Sequence, residues 1–295
     1  MSNKYALITG ASGLLGKKVD KLLKSRGLTT IGLTHKSTVT TDIVINSFNE
    51  LSEIATYLDV IVNLAGAPIA QGRWTKARKR KLTESRVDLT YQLISTLTQN
   101  NISCGHFISG SAIGYYGTGL FDCSEKTQPG RDFSANLCLQ WEAEAIKAEQ
   151  FSQTTTLLRT GLVLAPNEGF LKPLYMTTKF GLGCIFGSGK QILSWIDIRD
   201  WTAAVAFILD QKLTGPVNLT SPNPVTQSIF LQTLASTLQQ KIRFTVPQSL
   251  FLPLGEMKTL LLEGQRVIPN ELLLNNFNFQ YPQLSESLAT LLTRE

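Results

Sequence analysis

The chain has 295 residues, 43% of them hydrophobic and 17% charged, with a formal net charge of +6. That length leaves one or two domains with a sizeable core, and the polarity excludes an intrinsically disordered chain. The basic excess is mild. Its densest cluster, Lys76, Arg78, Lys79, Arg80 and Lys81, reads as a solvated helix face, and with no RNA- or DNA-binding pattern beside it no nucleic-acid partner is expected.

The first residues, MSNKYALITG, run straight into an apolar segment, and no later stretch has the length of a membrane span. The expectation is a cytoplasmic protein with no signal peptide and no membrane partner. Cys104, Cys123, Cys138 and Cys184 are scattered without paired spacing or a histidine cluster, so reduced thiols are expected and no metal site.

Strand-like segments are expected at 5–9, 30–34, 43–45, 60–64, 106–109, 156–164 and 194–196, with helices between most of them, notably at 17–24, 76–99 and 134–149. Several of the strands are short continuous apolar runs, as expected when both faces are covered. Strands alternating with helices imply an α/β fold, a Rossmann-type doubly wound parallel sheet. After about residue 210 the turn-rich GPVNLTSPNPVT precedes helical segments at 227–239, 252–263 and 269–275. The expected division is a cofactor domain of 1–165 plus about 190–212, and a smaller, mainly helical C-terminal substrate lobe of 166–189 and 213–295. Such a lobe would roof the crevice at the carboxyl ends of the strands.

The strongest local signal is ALITGASGLLGKK, which sets Gly10, Gly13 and Gly16 between the first strand and the first helix. The first glycine permits the tight turn, the second a close approach of backbone to pyrophosphate, and the third helix–strand packing. The amides around Ser12, Leu14 and Leu15 then face the phosphates from the helix N-terminus. At the end of the second strand Thr34, His35 and Lys36 stand where an acid would select NAD. Hydroxyl and cationic groups there favour a 2′-phosphate, so the expected cofactor is NADP(H).

The stretches TGASGLLG, NLAGAPIAQGRW, LTESR, SAIGYYG, LCLQWEAEA, RTGLVLAP, GSGKQILSWIDIRD and GEMKTLLLEGQRVIPNELL resemble, in order, the extended and atypical short-chain dehydrogenase/reductases. More narrowly they resemble the epimerase family group, nucleoside-diphosphate-sugar epimerase-like proteins of which some carry a cell-division-inhibitor label. The resemblance implies an NADP(H)-binding Rossmann core with Leu64, Ala65, Gly66, Arg86 and Leu162 at the cofactor. It also implies a small-molecule substrate, nucleotide sugars among the candidates, near Arg73, Trp74, Arg159, Lys190 and Trp195. The protein is expected to be a monomer or homodimer.

Redox members of that superfamily use a serine with a tyrosine and a lysine spaced YxxxK on one helix, where the lysine charge lowers the phenol pKa. The corresponding segment here, ANLCLQWEAEAIKAE, has no tyrosine, and Cys138 and Glu142 occupy the two positions. The remaining catalytic candidates are Ser111 (or Ala112 in an alternative register), Tyr115 and Tyr116 as proton donors or packing groups, Cys138 as a thiol or a small apolar residue, and Glu142 as an acid/base or an arginine's partner. Asp197 stands where the narrower group often has histidine, so no histidine role carries over. Two functions follow: an NADP(H)-dependent epimerase or oxidoreductase, or a non-catalytic NADP(H)-dependent sensor.

Overall fold

The computed structural model describes residues 4–33, 39–119, 121–166 and 168–292. Its centre is a seven-stranded sheet. In chain order the strands are β1 (Tyr5–Thr9), β2 (Thr29–Leu33), β3 (Ile43–Ile45), β4 (Tyr57–Asn63), β5 (Ser103–Ala112), β6 (Ser152–Thr160) and β7 (Gly215–Leu219). Their spatial order is β3-β2-β1-β4-β5-β6-β7 and every neighbouring pair is parallel. The order reverses between β1 and β4, so the helices that follow these two strands diverge to opposite faces and open a crevice at their carboxyl ends.

The apolar runs are explained by burial on both faces. Ala6 and Ile8 of β1 belong to a core shared with Trp201, Val205 and Ile208 of helix Ile198–Gln211, whereas Leu7 joins the opposite core with Leu93 and Leu97 of helix Leu89–Gln99. Successive side chains of a strand point to opposite faces, so continuous hydrophobicity is what a doubly covered strand requires.

Beneath the crevice a buried polar network ties the sheet to its helices. Thr9 Oγ1 donates to Asn63 Oδ1 at 2.7 Å, Asn63 Nδ2 to Thr90 Oγ1 at 2.8 Å, and Trp141 Nε1 to the same Thr90 oxygen at 3.0 Å. The N–H of Ala65 donates to Thr9 Oγ1 at 3.1 Å, which anchors the loop leaving β4.

The structure corrects several sequence expectations. The segment 156–164 is not one strand: β6 ends at Thr160, and Leu162–Ala165 pairs instead with Trp195–Asp197 and Glu168–Gly169 in a separate sheet. The break falls at Gly161, where a Cβ would lie 2.5 Å from the carbonyl oxygen of Ser194, so another chain segment passes too close for any side chain. The expected strand 194–196 accordingly belongs to that smaller sheet. The boundary at 212 is also displaced, because β7 lies beyond it and completes the central sheet. Pro216 made this segment read as a turn, yet β7 is an edge strand, where a missing N–H is tolerated.

The expected helix 76–99 is interrupted by a π-helical turn at Glu84–Asp88 between Lys76–Thr83 and Leu89–Gln99. The expected helix at 252–263 is largely 3-10 in character, Gln248–Lys258, with Gly255 at φ 62° breaking it. No described helix is long and apolar enough to cross a membrane.

Replacing Asn63 by alanine removes both links from the buried threonines. It should lower the unfolding free energy by about 1–3 kcal/mol with an unchanged denaturant slope. Urea denaturation checks this, and a loss within about 0.5 kcal/mol would mean the network contributes little.

Candidate active site

The loops leaving β1, β4, β5 and β6 meet on one edge because all four strands run the same way. At the first loop Gly10 adopts φ 71°, and a Cβ there would lie 2.9 Å from the carbonyl oxygen of Leu64. Gly16 is tighter still, since a Cβ would stand 2.2 Å from the Gly10 oxygen. Gly13 caps helix Leu14–Ser25 and is exposed. The first-turn N–H groups of Leu14, Leu15 and Gly16 have no partner within the helix, and they open beside half-buried Ser12. An exposed backbone cradle with a positive dipole end fits a dinucleotide pyrophosphate. Leu64, Ala65 and exposed Gly66 form the facing loop. Thr34, His35 and Lys36 lie outside the described residues.

Arg86, on the π-helical turn, joins this cradle to a deeper cavity. A Cβ on Gly66 would lie 2.9 Å from its guanidinium carbon, so the arginine packs directly against the glycine backbone. Its Nη2 donates to the Ala67 carbonyl at 2.9 Å, its guanidinium lies 5.5 Å from the Trp141 ring, and burial lowers its pKa.

The cavity measures about 330 Å3, within the range of small-molecule sites. Its inner wall includes Arg86, Ser111, Ala112, Cys138, Trp141 and Leu162, and its outer wall includes Gly117, Thr118, Asp132, Leu193, Leu260, Glu263 and Gln265. Segment 259–265 closes over it through contacts that include three to the loop after β5. Thr118 Oγ1 donates to Glu263 Oε2 at 2.7 Å, the N–H of Gly119 to the Gly264 carbonyl at 3.0 Å, and Gln265 Nε2 to the Ile113 carbonyl at 2.8 Å. The individual residues Thr118, Asp132, Glu263 and Gln265 were missed, because nothing local marks a residue that meets the sheet from so far along the chain.

The chemistry-bearing core of the site is a buried chain of groups. Ser111 Oγ, which lines the cavity, donates to Glu142 Oε1 at 2.6 Å. Arg159 grips the same carboxylate with Nε to Oε1 at 2.9 Å and Nη2 to Oε2 at 2.8 Å. Both charged residues are nearly inaccessible, at 4% for Glu142 and 3% for Arg159. Burial alone would lower the Arg159 pKa, but its bonds to Glu142 outweigh burial and the net shift is upward. Glu142 is thus the partner of an arginine, and its contact with the cavity runs through Ser111.

Cys138 lines the cavity as a neutral thiol, since burial, reinforced by Glu142, pushes its pKa up to about 12.

Several expected residues are elsewhere. Arg159 does not line the cavity, because its guanidinium is consumed by Glu142, by the Tyr116 hydroxyl at 3.0 Å and by the Glu125 carbonyl at 3.1 Å. Tyr116 is buried, donates to Asn218 Oδ1 at 2.6 Å and has its pKa raised by desolvation. Tyr115 covers the face of Arg159 with its ring, 3.5 Å from the guanidinium carbon. Neither tyrosine lines the cavity. Trp195 is fully buried with Nε1 donating to the Asn223 carbonyl, so it is a core aromatic. Trp74 braces its own loop through the Ile69 carbonyl and packs edge-on against Phe133, while Arg73 and Lys190 are exposed and outside the cavity wall.

Comparison with known proteins adds to this geometry. Residues 6–219 match the NAD dependent epimerase/dehydratase family, and residues 249–291 match a domain of unknown function, DUF1731. The chain is 33% identical over 302 residues to an epimerase family protein of Mycobacterium bovis, covering 100% of this chain and 99% of the relative. An epimerase family protein of Staphylococcus aureus is also 33% identical, with 98% of this chain and 99% of the relative covered. Among solved structures, the human epimerase family protein with NADPH superposes with a TM-score of 0.88 at 25% identity, covering 99% of this chain and 100% of that one. A nucleoside-diphosphate sugar epimerase from Corynebacterium glutamicum gives 0.78 at 28% identity, with 98% of this chain and 58% of that one covered.

Two outcomes check the geometry. Gly16→Ala should destabilise the fold by about 1–3 kcal/mol in chemical denaturation, because backbone and not a flexible side chain must give way. The thiol of Cys138 should stay unreactive towards a disulfide reagent in the native protein at pH 8 and react only on unfolding. The raised pKa also means that its contribution to stability is complete below the ordinary thiol value of 9.0 and is lost as the pH climbs towards about 12. Rapid native-state labelling of this residue at pH 8 would contradict both statements.

Proposed function

Because the chain belongs to the NAD dependent epimerase/dehydratase family, we propose that it binds NADP(H) along the glycine-rich turn and acts as an oxidoreductase or epimerase on a small substrate. The substrate sits in the cavity that residues 259–265 close, so the C-terminal segment serves as the substrate lobe. The observation that carries this reading is the position of Ser111, with its hydroxyl on the cavity wall and hydrogen-bonded to a buried carboxylate.

In this reading the cradle amides of Leu14, Leu15 and Gly16 hold the pyrophosphate, and Arg86, Ala112 and Leu162 border the inner cavity where the cofactor's reactive end belongs. The relative solved with NADPH and the charge of Lys36 beside Thr34 and His35, with no acid there, favour NADP(H) over NAD(H). The cofactor, when bound, supplies or accepts a hydride. The chain's own residues handle the proton. Ser111 Oγ orients a substrate hydroxyl or carbonyl oxygen and relays a proton to or from Glu142 Oε1. Arg159 holds Glu142 in one orientation through its paired bonds. Trp141 and Leu137 keep water from the inner wall.

A second reading, a non-catalytic NADP(H)-dependent sensor, is favoured by one observation. Helix Phe133–Ile146 has no tyrosine, and its Glu142 is already neutralised by Arg159.

Calorimetry with NADPH and NADH should give saturable binding, tighter for NADPH. Incubation with NADPH and a panel of carbonyl compounds, followed by absorbance and product analysis, should reveal turnover. Ser111→Ala should lower kcat by about 10²–10⁴-fold while leaving NADPH affinity unchanged. Equal turnover by wild type and Ser111→Ala would remove the relay, and NADPH binding without turnover across the panel would leave the sensor reading.

A further inference from the structure

The two ends of the cavity differ in charge, and the difference bears on what the substrate is. Among the described residues, Arg86 is the single cationic side chain on its wall. That guanidinium is turned to the inner end, where it lies against Gly66 and donates to the carbonyls of Ala67 and Leu82. At the outer end stand the acids Asp132 and Glu263. Asp132 Oδ1 accepts from the N–H of Ala135 and Glu263 Oε2 from Thr118, so each carboxylate is held in place by a donor, and neither forms an ion pair among the described residues. Of the basic residues on neighbouring segments, Lys79 pairs with Glu256, Arg266 with Asp122 and Arg159 with Glu142, whereas exposed Arg131 and half-buried Lys258 adjoin the outer end in sequence without lining it. The rest of the wall is largely apolar, with Ile113 and Leu137 lining it along with Leu193 and Leu260 of the outer wall.

We infer that the substrate is an uncharged or cationic, mainly apolar carbonyl compound or alcohol, and not a nucleoside diphosphate sugar. This inference rests on the cofactor reading above, which assigns the inner end to NADP(H) and leaves the outer end for substrate. A diphosphate placed there would meet two carboxylates and, among the described residues of that wall, no arginine or lysine to fork onto its oxygens, whereas natural phosphate sites supply such groups. A neutral ketone would bury its carbon skeleton on the aliphatic wall and set its oxygen at Ser111. A basic nitrogen on the far side of the molecule would gain from Asp132 and Glu263.

The test uses the full-length protein and three probes: UDP-glucose, 4-phenyl-2-butanone, and an aryl ketone of similar size bearing a tertiary amine. Each is titrated calorimetrically with and without NADPH. The expected result is saturable binding of both ketones, tightest for the amine, and binding of UDP-glucose weaker than either by roughly tenfold or more. Exposed Glu263 supplies the control. Glu263→Lys should weaken the amine and strengthen UDP-glucose by roughly three- to tenfold each, while Glu263→Gln, which can keep the bond from Thr118, should change them in the same direction by less. UDP-glucose binding as tightly as the ketones, or no saturable ketone binding at millimolar concentration, overturns the inference. Failure of NADPH itself to bind overturns the cofactor reading instead, and the titrations without NADPH still measure the charge preference.

Discussion

The buried pair of Glu142 and Arg159 is the constraint around which the site is organised. Removing two charges from water costs several kcal/mol per ion, and the attraction between them offsets this only when the geometry is good and the remaining polar atoms are satisfied. Here the pairing is bidentate, the remaining Arg159 nitrogen reaches the Tyr116 hydroxyl and the Glu125 carbonyl, and the guanidinium face is covered by Tyr115. Strand β6, helix Phe133–Ile146 and the loop after β5 must therefore occupy one arrangement together. Ser111 inherits its orientation from that arrangement because its hydroxyl ends on the same carboxylate.

The same logic links the cofactor cradle to the cavity. Thr9, at the end of β1, holds both Asn63 and the loop at Ala65, and the network continues through Thr90 to Trp141 on the cavity wall. Trp141 in turn lies over Gly110, where a Cβ would stand 2.8 Å from the indole. The glycine turn, the loop after β4 and the cavity wall are thus parts of one hydrogen-bonded unit.

The C-terminal region is bound into this unit at its far side. Glu125 Oε1 accepts from the N–H groups of Asn218 and Glu271, and Asn218 Nδ2 donates to the Ile268 carbonyl. Ser194 Oγ donates to the Gln265 carbonyl at 2.8 Å. These bonds seat segment 259–265 over the cavity mouth and bring an acid, Glu263, to the end of the wall away from Arg86. The family relationship establishes the general scaffold. The chemistry of the outer wall is set by this chain's own side chains, and that is where its specificity is to be sought.

What the amino-acid order determined by itself was what rests on local rules. The apolar runs required strands covered on both faces, the three glycines required a tight strand-to-helix turn, and the segment 134–149 visibly had no tyrosine to pair with a lysine. Each of these follows from residues within a few positions of one another, where backbone sterics and side-chain periodicity act. Only the tertiary structure decided which charges meet. Glu142 finds Arg159 at a separation of 17 residues, Ser111 reaches Glu142 across 31, and Gln265 meets Ile113 across 152. An arginine destined for a buried pair and one destined for a ligand have the same local signature, so Arg159 read as a substrate residue until its partner was visible. The strand break at Gly161 and the membership of β7 in the sheet were hidden for the same reason, since a close approach by Ser194 and a place at the sheet edge are properties of the packed chain and not of either segment alone.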